Sequence, residues 1–305
     1  MQKDFINLAD FTPEQLSGLI DKTIADKPAY LACRGPAPLA RKTLALIFEK
    51  PSLRTRVSFE VAMTQLGGTS TYLDQMTIGL GSRESVEDIS RVLSRMCDGI
   101  MARTFSHELV QSLAASSSVP VINGLTDYSH PCQAMADLVT VKEHFGDLAG
   151  RTLVFVGDGN NVARSLAAGC AKLGMEFVLS APLGYELEET FYSQLQADCP
   201  QAKCSEVRDP KSAVKDADVI YTDTWVSMGQ EEEKARRVEI FRDYQVNDEL
   251  LGCAPSGAIV LHCLPAYRGL EITDETFEAH AETIFSEAEN RLHFQRTLLD
   301  VLLQQ

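Results

Sequence analysis

No stretch of this chain approaches the ~20 consecutive apolar residues that a bilayer-spanning helix needs. The opening run MQKDFINLADFTPEQL carries an acidic residue at position 4 and no apolar core, so it does not have the make-up of a secretory signal. Both features point to a cytoplasmic protein with no membrane partner. Basic residues are in the minority: 28 Lys and Arg against 43 Asp and Glu give a net charge of −15. That surface would repel a phosphate backbone and excludes a general nucleic-acid binder, though it allows a small anion where basic residues gather in one cleft. The eight cysteines, at 33, 97, 132, 170, 199, 204, 253 and 263, contain no CxxC pair. Neither a zinc site nor a disulfide framework is indicated, and reduced thiols, most of them small buried hydrophobes, are expected. Internal repeats and low-complexity tracts are also missing. Gly157-Asp158-Gly159-Asn160-Asn161 suggests a dinucleotide fingerprint, but Val162 fills the third glycine's place and no acidic residue ends the next strand near Ser180. A nicotinamide-dependent dehydrogenase, which strand–helix alternation alone would suggest, is therefore disfavoured.

What is present is a regular alternation. Strands are expected at 44–48, 70–73, 99–102, 119–122, 152–156, 177–180, 219–222 and 259–262. Amphipathic helices are expected at 55–66, 84–96, 107–115 and 161–173. In the first helix, Val57, Val61 and Gln65 recur at four-residue spacing with Ala62 and Leu66 beside them, so one mostly apolar face is expected. This pattern predicts an α/β protein with two doubly wound parallel-sheet domains linked by interdomain helices. A chain of 305 residues, 45% hydrophobic and 23% charged, suffices for two cores of about 150 residues each. One helix over 130–145, then Gly146-Asp147-Leu148-Ala149-Gly150, marks the break. The expected domains are 1–145 with a C-terminal helix at 287–305, and 146–286.

Phe48-Glu49-Lys50-Pro51-Ser52-Leu53-Arg54-Thr55-Arg56 follows a buried strand and opens a helix. Helix N-termini carry unpaired N–H groups and partial positive charge, so they attract anions. Ser52 and Thr55 add hydroxyls, and Arg54 adds a planar fork that suits two phosphate oxygens. The alternative is a capping serine followed by solvated arginines. Two further segments weigh against it: Arg103 follows the strand at 99–102, and His130-Pro131-Cys132-Gln133 begins a helix after another strand. In open α/β sheets ligands collect beyond the carboxyl ends of strands, so the three segments are placed to converge.

SxRTR, a strand-end arginine and HPxQ, in this order and at these separations, resemble the carbamoyl phosphate site of the aspartate/ornithine carbamoyltransferase family. The resemblance runs from about residue 5 to the C-terminus. It implies a carbamoyl phosphate domain followed by an ornithine domain. It assigns Ser52, Leu53, Arg54, Thr55, Gly79, Arg103, His130, Gln133 and Arg291 to carbamoyl phosphate. Asp223-Thr224-Trp225-Val226-Ser227-Met228-Gly229 is similar to the loop of the family's ornithine-specific members, and His262-Cys263-Leu264-Pro265 to its HCLP motif. Asn161, Asp223, Ser227, Met228, Cys263 and Leu264 are thereby assigned to ornithine, with Arg54, Arg103, His130 and Cys263 as catalytic candidates. A turn at Pro265, with a cis Leu264–Pro265 bond, fits that motif.

The implied reaction moves the carbamoyl group of carbamoyl phosphate to the δ-amine of L-ornithine, giving citrulline and phosphate, with no metal or organic cofactor. The proton acceptor stays open, since phosphate itself could take the proton. N-acetylornithine, N-succinylornithine or putrescine are the alternative acceptors. The resemblance also implies a homotrimer, or an assembly of trimers, with a loop near 74–84 reaching the neighbouring subunit. Three positions depart from the commoner family residues: Leu53 and Cys132 replace threonine, and Gly79 replaces glutamine.

Overall fold

Thr43–Phe48 becomes the first strand because its last five residues are apolar and all are buried, as in a central parallel strand covered on both faces. This strand, β1, pairs in parallel with β2 (Thr69–Asp74) on one side and with β3 (Gly99–Arg103) on the other. β3 pairs with β4 (Val121–Leu125), giving the order β2-β1-β3-β4. A second parallel sheet comprises β5 (Thr152–Val156), β6 (Glu176–Ser180), β7 (Lys203–Glu206), β8 (Val219–Thr222) and β9 (Ile259–His262), in the order β7-β6-β5-β8-β9. The computed structural model describes residues 2–79, 83–226 and 231–304.

The chain divides into two compact units, Met1–Val139 with Asn290–Gln305, and Thr140–Glu289. The first contains the four-stranded sheet with helices α1 (Pro13–Leu31), α2 (Leu53–Gln65), α3 (Val86–Met96) and α4 (His107–Ser116). Its core includes Ala45, Ile47, Ile89, Ile100, Val110, Leu113 and Val121. Helix α5 (Pro131–Phe145) runs through the first boundary, 139/140. The second unit contains the five-stranded sheet with α6 (Asn161–Leu173), α7 (Glu189–Asp198), α8 (Lys234–Phe241) and α9 (Asp274–Ala279). Its core gathers Val154, Val156, Ile220, Trp225, Phe241, Val260 and Phe277. Helix α10 (Ala281–Leu303) runs through the second boundary, 289/290. Among the described residues no helix is long and apolar enough to cross a membrane.

Several expectations need correction. Of the apolar face expected on α2, Ala62 and Leu66 are buried, but Val57 and Val61 are 47% and 36% exposed. The helix also buries Thr55, Ser58, Phe59 and Met63. Ser58 can turn inward because its hydroxyl donates to the Arg54 carbonyl at 2.7 Å, which removes the cost of burying it. Of the eight free cysteines only Cys132 and Cys170 are buried, so most are not core residues. β4 begins two residues later than expected and continues through Asn123-Gly124, a pair that reads as a turn. Asn123 is fully buried there because its amide donates to Ile6 O at 3.0 Å and to Ser129 Oγ at 2.9 Å. β7 gave no signal, since its four residues Lys-Cys-Ser-Glu form a largely exposed sheet edge. The last helix starts at Ala281 rather than 287.

Candidate active site

In the first unit the chain moves from β1 to β2 on one side, then crosses to β3 on the other, so the winding reverses between β1 and β3. A ligand crevice is expected beyond the carboxyl ends of the strands at such a point. Ser52 follows β1 and caps α2, its hydroxyl accepting from Thr55 N at 3.3 Å and lying 3.1 Å from Thr55 Oγ1. The Leu53 side chain is 75% exposed, which leaves its backbone N–H as its contribution to the helix start. Arg54 is half-buried and Thr55 fully buried. Arg103 is the last residue of β3 rather than its follower, and is buried.

Arg291, from α10, joins these segments. Its guanidinium donates to Thr55 Oγ1 at 2.9 Å and to Gln133 Oε1 at 3.0 Å. Gln133 in turn donates to Asp137 Oδ1 at 2.7 Å. His130 sits immediately before α5 and is buried. Burial first, then the guanidinium groups of Arg291, Arg103 and Arg54, hold its imidazole well below the ordinary value of 6.5. It is therefore a neutral ring at physiological pH, able to donate one N–H, within a field of three fixed cations. Cys132 beside it is inert, because burial pushes its thiol up to about 12. Gly79 ends the short helix Gln75–Ile78 with φ +59°, and a Cβ there would meet Arg83 Cβ at 2.7 Å.

The second unit repeats the geometry. Its winding reverses between β5 and β8. Asn161 opens α6 after β5, Asp223 follows β8, and Cys263 and Leu264 follow β9. Gly159 is required in the β5–α6 turn, since a Cβ would lie 2.8 Å from the backbone of Glu186 and Leu187. Asp223 is buried, with Thr224 N donating to its Oδ1 at 2.7 Å and the Cys263 thiol donating to the same oxygen at 3.0 Å. This contact aims the Cys263 thiol at the Asp223 carboxylate. Leu264 has φ +59° and a cis bond to Pro265, and its N–H donates to His262 Nδ1 at 2.9 Å. Ser227 and Met228 lie outside the described residues.

Donor atoms of Asp223, His262 and Cys263 lie within 4.8 Å of one another, a spacing that a metal would accept. The imidazole is already committed, however. Nδ1 accepts from Leu264 N–H, and Nε2 lies 3.2 Å from the buried Glu271 carboxylate. With both ring nitrogens engaged, the trio does not fit an ion.

Family models for the two halves match the chain almost end to end. The aspartate/ornithine carbamoyltransferase carbamoyl-P binding domain matches residues 3–143, and the Asp/Orn binding domain matches 149–302. The chain belongs to the aspartate/ornithine carbamoyltransferase family. It is 48% identical to the ornithine carbamoyltransferase of Carboxydothermus hydrogenoformans, over 99% of this chain and 97% of that one. It is 46% identical to that of Methanopyrus kandleri, over 98% and 96%. Among solved structures, ornithine carbamoyltransferase from Pyrococcus furiosus superposes with a TM-score of 0.94 at 44% identity, covering 99% of this chain and 97% of that one. The anabolic enzyme of Campylobacter jejuni gives 0.92 at 38%, covering 99% of both.

Within this carbamoyltransferase, sequence reasoning passed over residues that support the two half-sites. Lys50 is nearly buried, pairs with Asp127 and lies 4.1 Å from the centre of the Phe105 ring. Glu49 Oε2 accepts from Phe105 N at 2.9 Å, and Glu49 N donates to Arg103 O at 2.9 Å. Together they tie the turns after β1, β3 and β4. In the other unit Arg237 is buried and donates to Asp158 and to the Trp225 carbonyl. Asn160 was visible as a capping residue before a helix. The contacts of Lys50, Glu49 and Arg237 join turns far apart in sequence and leave no local signal.

Proposed function

We propose that this chain is an ornithine carbamoyltransferase, converting carbamoyl phosphate and L-ornithine into citrulline and phosphate. The observation that carries the reading is the convergence of Arg54, Arg103 and Arg291 on a neutral His130, in the unit matched by the carbamoyl-P binding domain. A dianionic phosphate needs such fixed cations. A carbonyl that becomes an oxyanion needs a hydrogen-bond donor fixed in place. Ser52, Thr55, Arg54, Arg103 and the first N–H groups of α2 take the phosphate oxygens, and Gly79 is assigned to the same ligand. His130 donates to the carbamoyl oxygen. Gln133 accepts from the carbamoyl NH2, its amide oriented by Arg291.

The acceptor binds through Asp223 to its α-ammonium and Asn161 to its polar backbone groups, and Ser227 and Met228 are assigned to the same ligand. Cys263 and the Leu264 carbonyl flank the δ-amine, which must lose a proton before it attacks. Attack on the carbonyl carbon gives a tetrahedral intermediate. Its collapse expels phosphate, and the amine proton leaves to phosphate or solvent. Putrescine has no α-carboxylate, and the acylated ornithines have no α-ammonium for Asp223, so free ornithine fits best. The full-length identity to enzymes named ornithine carbamoyltransferase favours the same acceptor.

The finer placements follow from this chemistry. The product, a ureido amino acid, suits arginine biosynthesis, and the free thiols suit the cytoplasm. A homotrimer is supported by apolar side chains left exposed on α2 and α3, namely Leu53, Val57, Val61, Val92 and Met96. The deciding test is citrulline formation by the purified protein, with ornithine, N-acetylornithine, N-succinylornithine and putrescine offered separately. Ornithine should be preferred by a wide margin. Preference for an acylated amine or for putrescine would overturn the assignment.

A further inference from the structure

The geometry points to Asn160 as a positioning residue for Asp223, a role that rests on the acceptor-site reading above. Its carboxamide has two chemically different ends, and the surroundings fix which end faces where. Oδ1 accepts from Val162 N at 2.9 Å and Ala163 N at 3.1 Å, capping α6. Two backbone donors demand an oxygen, so Nδ2 must point the other way, and there it donates to Asp223 Oδ2 at 2.8 Å. Asn160 therefore reads a helix terminus with one end and a buried carboxylate with the other.

The consequence for Asp223 is a fixed orientation. A carboxylate offers about four lone-pair positions. Asn160 Nδ2, Thr224 N and the Cys263 thiol occupy three of them, which locks the carboxylate plane and leaves one position for a substrate ammonium. The amide cannot swing aside, because its own backbone is pinned. Asn160 N donates to Asp158 O at 2.7 Å, and the Asp158 side chain is paired with buried Arg237. The charged and titratable groups around Asp223 are thus Asp158 with Arg237 on one side, and Cys263 and the His262 ring on the other.

An amide satisfies both ends at every pH. Aspartate caps a helix as well as asparagine does, but it sets a second carboxylate against Asp223. Serine caps the helix, but its side chain is too short to reach across. The substitution Asn160→Asp therefore separates the two roles. Its cap oxygen is retained, while the other oxygen replaces a donor. Two carboxylates at this distance share a proton, so one of them is raised above the ordinary range. While that proton is held, the new carboxyl donates to Asp223 as the amide did. Once it is lost with rising pH, repulsion turns Asp223 away.

The experiment measures kcat/KM for ornithine from about pH 6 to pH 9 for the wild-type enzyme, Asn160→Asp and Asn160→Ser. Taking wild type over variant at each pH cancels the titration of ornithine's own amine. For Asn160→Asp the ratio should be near unity at the acid end and grow to about tenfold or more at the alkaline end. KM for carbamoyl phosphate and the melting temperature should stay close to wild type. For Asn160→Ser the loss should be independent of pH. If Asn160→Asp tracks an active wild type at every pH, Asn160 is a cap alone and the inference fails. Equal losses for both substrates together with a lowered melting temperature would likewise reduce it to a structural residue. A wild-type protein that makes no citrulline would instead sink the acceptor-site reading, and this inference with it.

Discussion

Replacing Arg291 by methionine should weaken carbamoyl phosphate binding while sparing ornithine. The substitution keeps most of the side-chain length and volume but removes a buried charge and two hydrogen bonds, at 2.9 Å to Thr55 and 3.0 Å to Gln133. Bonds of this charge-assisted kind contribute about 1.5–3 kcal/mol each. Stability should change little, because the loss is offset by no longer burying a cation. The donor site has no such offset: a phosphate dianion loses one of three guanidinium groups, and Gln133 loses the bond that aims its amide. A net loss of about 2–3 kcal/mol corresponds to roughly 30- to 150-fold in affinity. Steady-state KM for carbamoyl phosphate at saturating ornithine, backed by calorimetric titration of the free enzyme, reads this directly. The same variant should raise the pKa of His130, since one of the cations that disfavours its protonation is gone. Carbamoyl phosphate affinity within about twofold of wild type, or an equal rise in KM for both substrates, would refute the assignment of Arg291 to the donor pocket.

Three further outcomes are expected. His130, buried among arginines, titrates below its unfolded-state value near 6.5, so the unfolded chain takes up the proton first as pH falls. Stability should therefore decline below pH 6.5, by up to about 1.4 kcal/mol per pH unit until the folded-state value is reached. His130→Gln should flatten that slope in urea titrations at pH 5.5 and 7.5; parallel dependences in the two proteins would contradict the buried neutral ring. Cys263→Ala removes one of three donors to Asp223 and should lower kcat/KM for ornithine by about tenfold with carbamoyl phosphate KM unchanged, whereas unaltered kinetics would return the thiol to a packing role. Val57→Glu combined with Val61→Glu should leave the helical circular dichroism intact but reduce the mass seen by light scattering to that of one chain; a trimer that survives both charges would place the interface elsewhere.

The sheet cores were legible because their strands are short apolar runs. The stretches 152–156, 219–222 and 259–262 stand in the structure as they read in sequence. Legibility failed where burial is polar or where a strand is not buried. β7 lies at a sheet edge with three of its four residues exposed, so no apolar run announced it. On α2 the hydroxyls of Thr55 and Ser58 are satisfied inside the unit and turn inward, and the valines that look like core point outward. The site shows the same division. Charged residues directly after buried strands mark the strand ends from sequence alone. The contacts that give those residues a role join distant positions: Arg291 to Gln133 across 158 residues, and Asn160 to Asp223 across 63. Pattern within one element carries no information about such pairs.

Both half-sites place chemistry on the residue that caps a helix, and this couples stability to function in a particular way. Ser52 caps α2 beside the donor arginines, and Asn160 caps α6 beside Asp223. Removing either cap with alanine costs about 1 kcal/mol of helix stability and also deletes a polar atom of the site, so a loss of activity in an alanine variant cannot be assigned to one cause. Substitutions of equal capping strength break the coupling. Ser52→Asp would keep the bond to Thr55 N yet put a negative charge where the donor phosphate is expected. Its melting temperature should therefore remain near wild type while carbamoyl phosphate binding is lost. A stable Ser52→Asp protein that still binds carbamoyl phosphate normally would show that the phosphate does not sit at the α2 terminus.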